Sequence, residues 1–172
     1  NPDLSRRLLA EAGYPQGFGV TLDCPNDRYV NDEAICTAVV SMLARVGIRV
    51  TLNAQTRARY FAEILGPRYA TSFYMLGWTP NTYDAHNAFF NLMTTRQGDR
   101  GMFNVGGWSN ARFDELVNLM AVETDREKRQ SMIEEAMRIH TDDFGHIPLH
   151  QQAVIWAARN TIQLQQLADN WF

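Results

Sequence analysis

The sequence has little of what several protein classes require. Its 172 residues include only two cysteines, and the spacing between them matches no zinc-binding pattern. No apolar run approaches the roughly 18 residues that a membrane-spanning helix needs. Lysine and arginine total 16 against 19 aspartates and glutamates, without a basic stripe, which argues against a nucleic-acid partner. What remains is an ordinary globular composition, 45% hydrophobic, with enough apolar side chains for one core.

The motifs of common enzyme classes are also absent from the sequence. It has no Gly-x-Ser-x-Gly elbow, no Walker loop and no dinucleotide-binding fingerprint. Asp142 and Asp143 are adjacent, so their side chains point to different faces and do not form a facing acid–base pair. Nothing here indicates catalysis, a cofactor or a metal site. If the chain is an enzyme, the hypothesis to test is a metal-dependent hydrolase domain that uses His146 and His150. No two histidines, however, have the close helical spacing of a zinc site.

Two local features bear on processing and compartment without deciding either. Cys24 and Cys36 fit either a disulfide bond or two free thiols, and we favour buried free thiols because unpaired cysteine is among the most buried residue types. The first residues, Asn-Pro-Asp-Leu-Ser, are typical of a helix start rather than of a signal peptide.

Hydrophobic periodicity in the first half predicts strands that alternate with helices. Phe18, Val20 and Leu22 alternate with small or polar residues, and 48–52 repeats this strand pattern. Since one helix separates the two strands, they form a βαβ crossover with parallel pairing. The predicted strands are 18–22, 48–52 and a central strand over 70–78, and the predicted helices are 2–12, 32–46 and 56–65. In the first helix, Leu4, Leu8 and Leu9 are expected to be buried. The residues of the second helix expected to face inward are Ala34, Ile35, Ala38, Val39, Met42, Leu43 and Val46.

Capping signals divide the second half into helices. Asp84 and Asn110 each precede an apolar helical pattern, and Thr124–Glu127 resembles a capping box before the longest helix. His140 lies on the apolar face of that helix, where we expect a core histidine rather than a metal ligand.

The whole pattern predicts an α/β fold with a mostly parallel sheet flanked by helices. Strand character returns over 146–158, and we expect the polar, weakly periodic residues 159–172 to form a loosely attached tail. In open parallel sheets, ligands bind outside the carboxyl ends of the strands. This rule indicates three candidate ligand-binding places, at 24–31, 77–84 and 150–152.

The order of several stretches resembles a known family. These stretches are, in sequence, LLAEAGYPQGF, VTLDCPNDRYVN, ARVGIRVTLN, FYMLGWTPNTYDAHNAFF, GGWSNARFDELV and IHTDDFGHIPLH. Together they resemble the carboxyl-terminal region of the dipeptide/oligopeptide-binding proteins, family 5 of the extracytoplasmic solute-binding proteins of ABC importers. The resemblance implies that residues 1–172 form the distal, carboxyl-terminal lobe of a two-lobed receptor of the class C type.

The resemblance also implies partners and a location. It implies a passive, non-enzymatic receptor that closes over a small-molecule or short-peptide ligand and delivers it to ABC permease subunits. The amino-terminal lobe of the same receptor would be the other jaw. The expected location is the periplasm, or the outer surface through a membrane tether.

Seven residues carry the expected ligand contacts. Arg28, beside Tyr29, matches a loop arginine that pairs with the ligand carboxylate, the alternative being a solvated loop residue. Trp78 matches a tryptophan of the cleft, and is equally expected in the core. Asn81 stands where peptide-binding relatives have the aspartate that holds the peptide ammonium, so free-amine recognition is in doubt. The other expected contacts are Asp84, for which helix capping is the alternative, and His150 and Gln152.

Overall fold

The computed structural model describes residues 1–66, 71, 73–153 and 155–165, which form two compact units. Unit 1 comprises residues 1–77, and unit 2 begins at Trp78. The elements of unit 1 are α1 (Pro2–Glu11), β1 (Gly19–Pro25), α2 (Asp32–Ala44), β2 (Arg49–Gln55) and α3 (Arg57–Ile64). The elements of unit 2 are α4 (Ala85–Ala88), a π-helical turn (Phe89–Met93), α5 (Ala111–Met120) and α6 (Arg126–Asp142).

The two strands of unit 1 pair in parallel, which confirms the predicted crossover. The register runs from Gly19 opposite Arg49 to Pro25 opposite Gln55. Both strands extend three residues beyond their predicted ends, because backbone pairing continues past the alternating side-chain pattern. The carboxyl end of β1 therefore lies at the start of the loop that contains Arg28.

The apolar segment before Trp78 lies along the other edge of β1. The Asp23 N–H donates to the Phe73 carbonyl at 3.1 Å, and the Met75 N–H donates to the Asp23 carbonyl at 3.0 Å. In the described part of 70–78, only the bridge between Asp23 and Tyr74 has strand pairing, so the prediction of a central strand buried on both faces is wrong. The central strand is β1, and Ala70 and Ser72 lie outside the described residues.

Helix α1 does not bury the leucine stripe that its sequence predicts. The Asn1 side chain caps it by accepting the Leu4 N–H at 3.0 Å. Leu4 and Leu8, however, are 39% and 51% exposed. A polar contact joins α1 to the end of α2, where the Arg6 guanidinium donates to the Arg45 carbonyl at 2.7 Å. Periodicity alone predicts an apolar face but not a neighbour that covers it.

A disulfide bond joins Cys24 of β1 to Cys36 of α2, so the favoured free-thiol interpretation is wrong. Both cysteines are buried, and Leu22 packs with them in the core of unit 1. The bond turns the Cys36 face of α2 toward the sheet, with Val39 packed beside it. Three residues predicted to face inward are consequently exposed: Ala34, Ala38 and Met42.

The core of unit 2 forms between α5, α6 and the π-helical turn. Its buried members are Phe89, Phe113, Leu116, Val117, Met120 and Ala136. The predicted cap is confirmed at Asn110, whose Oδ1 accepts the N–H groups of Arg112 and Phe113 at 3.0 and 3.1 Å. Helix α6 is capped by Asp125 rather than by Thr124, because the Asp125 carboxylate accepts the first-turn N–H groups.

The residues after α6 do not form the predicted strand. In their described part, 146–153 and 155–158 are irregular, with Ile147 73% and Ile155 89% exposed. An alternating pattern forms a strand only where a neighbouring backbone accepts and donates hydrogen bonds. Residues 166–172 of the predicted tail lie outside the described residues, and its loose attachment stays a prediction.

Candidate functional site

The loop from Asn26 to Asn31 follows β1 and is tied to the residues after β2. The Asn26 N–H donates to the Gln55 carbonyl at 2.8 Å. The backbone N–H of Arg57 donates to the Asp27 carboxylate. These contacts attach the first half of the loop to the carboxyl edge of the sheet, which is the edge that the ligand-site rule selects.

The Asp32 carboxylate holds the second half of this loop. Its Oδ2 accepts the N–H groups of Arg28 at 2.8 Å and Tyr29 at 2.9 Å, and its Oδ1 accepts the Glu33 N–H at 2.9 Å. Burial would raise the pKa of Asp32, but these backbone donors outweigh burial and hold the pKa below its usual value. The loop conformation therefore depends on one ionised, 4% exposed side chain.

Arg28 and Tyr29 form a stacked pair on this loop. The guanidinium carbon of Arg28 lies 4.9 Å from the centre of the Tyr29 ring. The Tyr29 hydroxyl donates to the Gly77 carbonyl at 3.1 Å. A Cβ at Gly77 would lie 2.8 Å from the Tyr29 ring, so the glycine permits this contact. Desolvation by burial raises the pKa of Tyr29.

The Arg28 guanidinium itself is exposed and available. Among the described residues, no carboxylate forms an ion pair with Arg28. A guanidinium held over an aromatic ring and without an acidic partner is suited to a carboxylate from outside the unit, which it can bind through two N–H groups.

In unit 2, Trp78 is half-buried and belongs to a polar and aromatic cluster. Its indole N–H donates to Asn87 Oδ1 at 2.9 Å, and its ring meets the Phe103 ring edge-on at 5.0 Å between centres. Asn81, three residues later, is exposed in the loop before α4. Trp78 thus combines structural contacts with partial exposure.

Asp84 caps α4, which was the alternative to a ligand contact in the sequence analysis, and it also forms an ion pair. Its Oδ1 accepts the His86 N–H at 2.8 Å and lies 2.8 Å from the Arg129 guanidinium. The Arg129 hydrogen bond is the main reason that the pKa of Asp84 is lowered. The carboxylate is already neutralised within unit 2. An open pocket of about 470 Å³ surrounds it, lined by Thr82, Asp84, His86, Asn87, Ala121 and Arg129.

His150 and Gln152 are exposed in the irregular segment after α6. His146 instead contacts His140, which is 5% exposed, as expected for a core histidine. His140 Nε2 and His146 Nδ1 are 2.8 Å apart, and the rings stack at 5.0 Å. Gly145 allows this approach, because a Cβ there would lie 2.6 Å from His140 Nε2. Burial lowers both pKa values, that of His140 to about 4, where the neighbouring His146 also contributes.

Three features of these sites were not found from the sequence. The pattern predicts only that Asp32 begins a helix, although its position three and four residues after Tyr29 and Arg28 is typical of a side chain that holds a loop. Arg129 lies 45 residues from Asp84, and no local signal joins them. The His140–His146 contact crosses the end of α6, where Gly145 was the only available sequence signal.

A model of bacterial extracellular solute-binding proteins, family 5 Middle, matches residues 1–100 of the chain. The chain belongs to this family. The predicted resemblance is thereby confirmed. The matched region includes five of the expected ligand-binding residues: Arg28, Tyr29, Trp78, Asn81 and Asp84.

The similarity to curated proteins extends beyond the matched region. The glutathione-binding protein GsiB of Pectobacterium atrosepticum is 29% identical over 140 residues, which cover 79% of this chain and 27% of that protein. The GsiB of Escherichia coli K12 is 26% identical over 160 residues, covering 91% of this chain and 31% of the relative. The chain therefore spans less than a third of the curated relatives that it matches.

Solved structures confirm the predicted α/β fold class. The periplasmic binding protein DppA of Helicobacter pylori, in complex with the peptide STSA, has a TM-score of 0.74 at 21% identity, and the match covers 84% of this chain and 27% of that one. At this identity the likeness establishes the fold alone. Within the described parts of the chain, no helix is long and apolar enough to cross a membrane.

The comparisons give the hydrolase hypothesis no support. The matched curated relatives are named as binding proteins. In the described regions, no three His, Cys, Asp or Glu side chains lie close enough together to hold a metal ion, and His146 contacts His140 rather than His150.

Proposed function

We propose that this chain is part of the ligand-binding body of a two-lobed ABC importer receptor. The receptor captures a small, carboxylate-bearing solute between its lobes and delivers it to membrane permease subunits. It performs no chemistry on the ligand and works in the periplasm or tethered outside the membrane. The second lobe, supplied by the rest of the receptor, completes the site.

One observation carries this proposal: Arg28 is exposed, held in place and without an acidic partner among the described residues. An enzyme site of the acyl-transfer or metal type needs a nucleophile or a ligand cluster. A receptor needs only a fixed complementary charge and closure of the second lobe, which excludes water and strengthens the charge pair.

The ligand class is a short peptide or a peptide-like acid. GsiB relatives are named as glutathione-binding proteins, and DppA is described in complex with a peptide. Glutathione carries two carboxylates and is therefore a suitable first probe. Titrating the two-lobed receptor with glutathione by calorimetry, and identifying by mass spectrometry what copurifies with it, tests the proposal. Stoichiometric binding of a carboxylate solute is expected, whereas a copurifying cation or uncharged sugar would contradict it.

The loop that contains Asn81 and Asp84 is not suited to hold a ligand ammonium, so any amine of the ligand, including that of glutathione, would be bound elsewhere in the receptor. Asn81 carries no charge, and the nearby Asp84 is neutralised by Arg129. A buried ammonium facing this loop would lose its main compensating charge.

We expect Asn81→Asp to create amine selectivity. In the two-lobed receptor, the variant should prefer a free-amine dipeptide over its N-acetyl derivative by about tenfold more than the original does, because a charge-assisted hydrogen bond replaces a neutral one. Calorimetry with both peptides measures the ratio. Thr79→Asp adds the same charge to an exposed site of the same loop and is the control. Equal ratios in Asn81→Asp and the original would place Asn81 outside the ligand site.

A further inference from the structure

The Cys24–Cys36 disulfide and the Asp32 carboxylate enclose the loop that presents Arg28. Cys24 is the penultimate residue of β1, and Cys36 lies in the second turn of α2, so the bond closes a ring of chain around residues 25–35. Asp32 lies inside this ring and accepts the N–H groups of Arg28 and Tyr29. Covalent and polar restraints thus converge on six loop residues.

The Asp32 contacts depend on the disulfide for their geometry. Asp32 is the first residue of α2, and its carboxylate reaches the loop only while that end of the helix stays against the end of β1. The buried disulfide fixes this distance, because both sulfurs lie in the core with Leu22 and Met75. Asn31 takes a left-handed conformation (φ 60°) between the loop and α2, which asparagine adopts more readily than most other residues.

We propose that the disulfide and Asp32 act together as a positioning brace for Arg28, a role that rests on the function proposed above. The brace fixes the backbone of Arg28 and Tyr29. The Tyr29 ring, which the Gly77 carbonyl holds through the hydroxyl, then packs against the Arg28 guanidinium. Arg28 is the binding group, while Cys24, Cys36 and Asp32 are positioning residues. A guanidinium fixed in this way loses little conformational entropy when it binds a carboxylate.

Two variants of the two-lobed receptor separate the two arms of the brace. Cys24→Ala with Cys36→Ala removes the bond without placing a hydroxyl in the apolar core. Asp32→Asn keeps the size of the side chain but leaves one neutral acceptor oxygen, in place of two charged ones, for the N–H groups of Arg28, Tyr29 and Glu33. Glu33→Gln is the matched control, since it removes one negative charge from the next residue, which is exposed.

The first measurement needs no ligand. Amide hydrogen exchange of Arg28 and Tyr29 should accelerate about tenfold or more in both variants and remain unchanged in Glu33→Gln, because exchange reports the opening of these hydrogen bonds. Unchanged exchange in both brace variants would overturn the proposal. Because this readout is local, it also identifies a variant that has unfolded as a whole, in which amides of β2 and α3 would accelerate equally.

The second measurement separates positioning from general stability. Affinities are compared for glutathione and for glutathione with both of its carboxylates converted to amides. The brace variants should lose about tenfold of the preference for the carboxylate form and keep their affinity for the amide within about twofold. Equal losses for both ligands indicate a merely structural role and contradict the proposal. If the original receptor binds neither ligand, the proposed function and the recognition role fail together, while the exchange rates still decide whether the brace holds the loop.

Discussion

Replacing Arg28 with alanine should weaken carboxylate binding by the two-lobed receptor by about 2–4 kcal/mol, or roughly 30-fold to 700-fold. The loss is large because closure of the receptor excludes water, and the ligand carboxylate would then lie buried without its charged partner. Calorimetric titration with glutathione measures it directly. An unchanged dissociation constant would remove Arg28 from the ligand site.

Two further variants make the Arg28 result specific. Arg28→Lys keeps the charge but loses the two-pronged geometry, so we expect an affinity between those of the original and the alanine variant. Arg57→Ala removes an equal charge from an exposed position in the same unit, while its backbone N–H still donates to Asp27. This control should bind glutathione as the original does, and a comparable loss would indicate a nonspecific effect of net charge.

Acidification should destabilise unit 2 by about 2 kcal/mol between pH 6.5 and pH 4. The pKa of His140 is lowered to about 4 by burial and by the neighbouring His146, so the folded unit resists a proton that the unfolded chain takes up near pH 6.5. Stability is therefore fully present above pH 6.5 and falls as the pH approaches 4. Each tenfold difference in proton affinity is worth about 1.4 kcal/mol, and access of water to the half-buried His146 moderates the total.

The tryptophans provide a selective measurement of this effect. All four lie in the sequence from Trp78 onward, so urea unfolding followed by tryptophan fluorescence reports unit 2 and not unit 1. His140→Phe keeps an aromatic ring against Trp108 and Phe113 and should flatten the dependence on pH. His150→Gln removes an exposed histidine and should leave the dependence intact. A His140→Phe variant with the original acid sensitivity would assign the effect to other groups.

The order of elements and several caps could be predicted because their signals are local. The alternation of β1, the single helix after it and the alternation of β2 are sufficient to predict parallel pairing, and the structure has that pairing. Asp84 and Asn110 cap their helices as predicted, since a cap depends on only three or four neighbouring residues. The family could also be predicted from the sequence, because the resemblance depends on the order of short stretches along the chain.

Tertiary contacts decided which side chains are engaged and which remain available. The bond between Cys24 and Cys36, the neutralisation of Asp84 by Arg129 and the stacking of His140 on His146 each join residues that no spacing rule connects. Exposure of Leu4 in α1 likewise depends on the neighbours of the helix and not on its own period. The sequence by itself determined the helices, the parallel pair β1–β2 and the residue types at their ends, because backbone conformation responds to near neighbours. Whether 70–78 and 146–158 form strands depended on a neighbouring backbone. The folded chain determined which of those residues share a hydrogen bond or a charge, because these interactions depend on distances in space that sequence separation does not set.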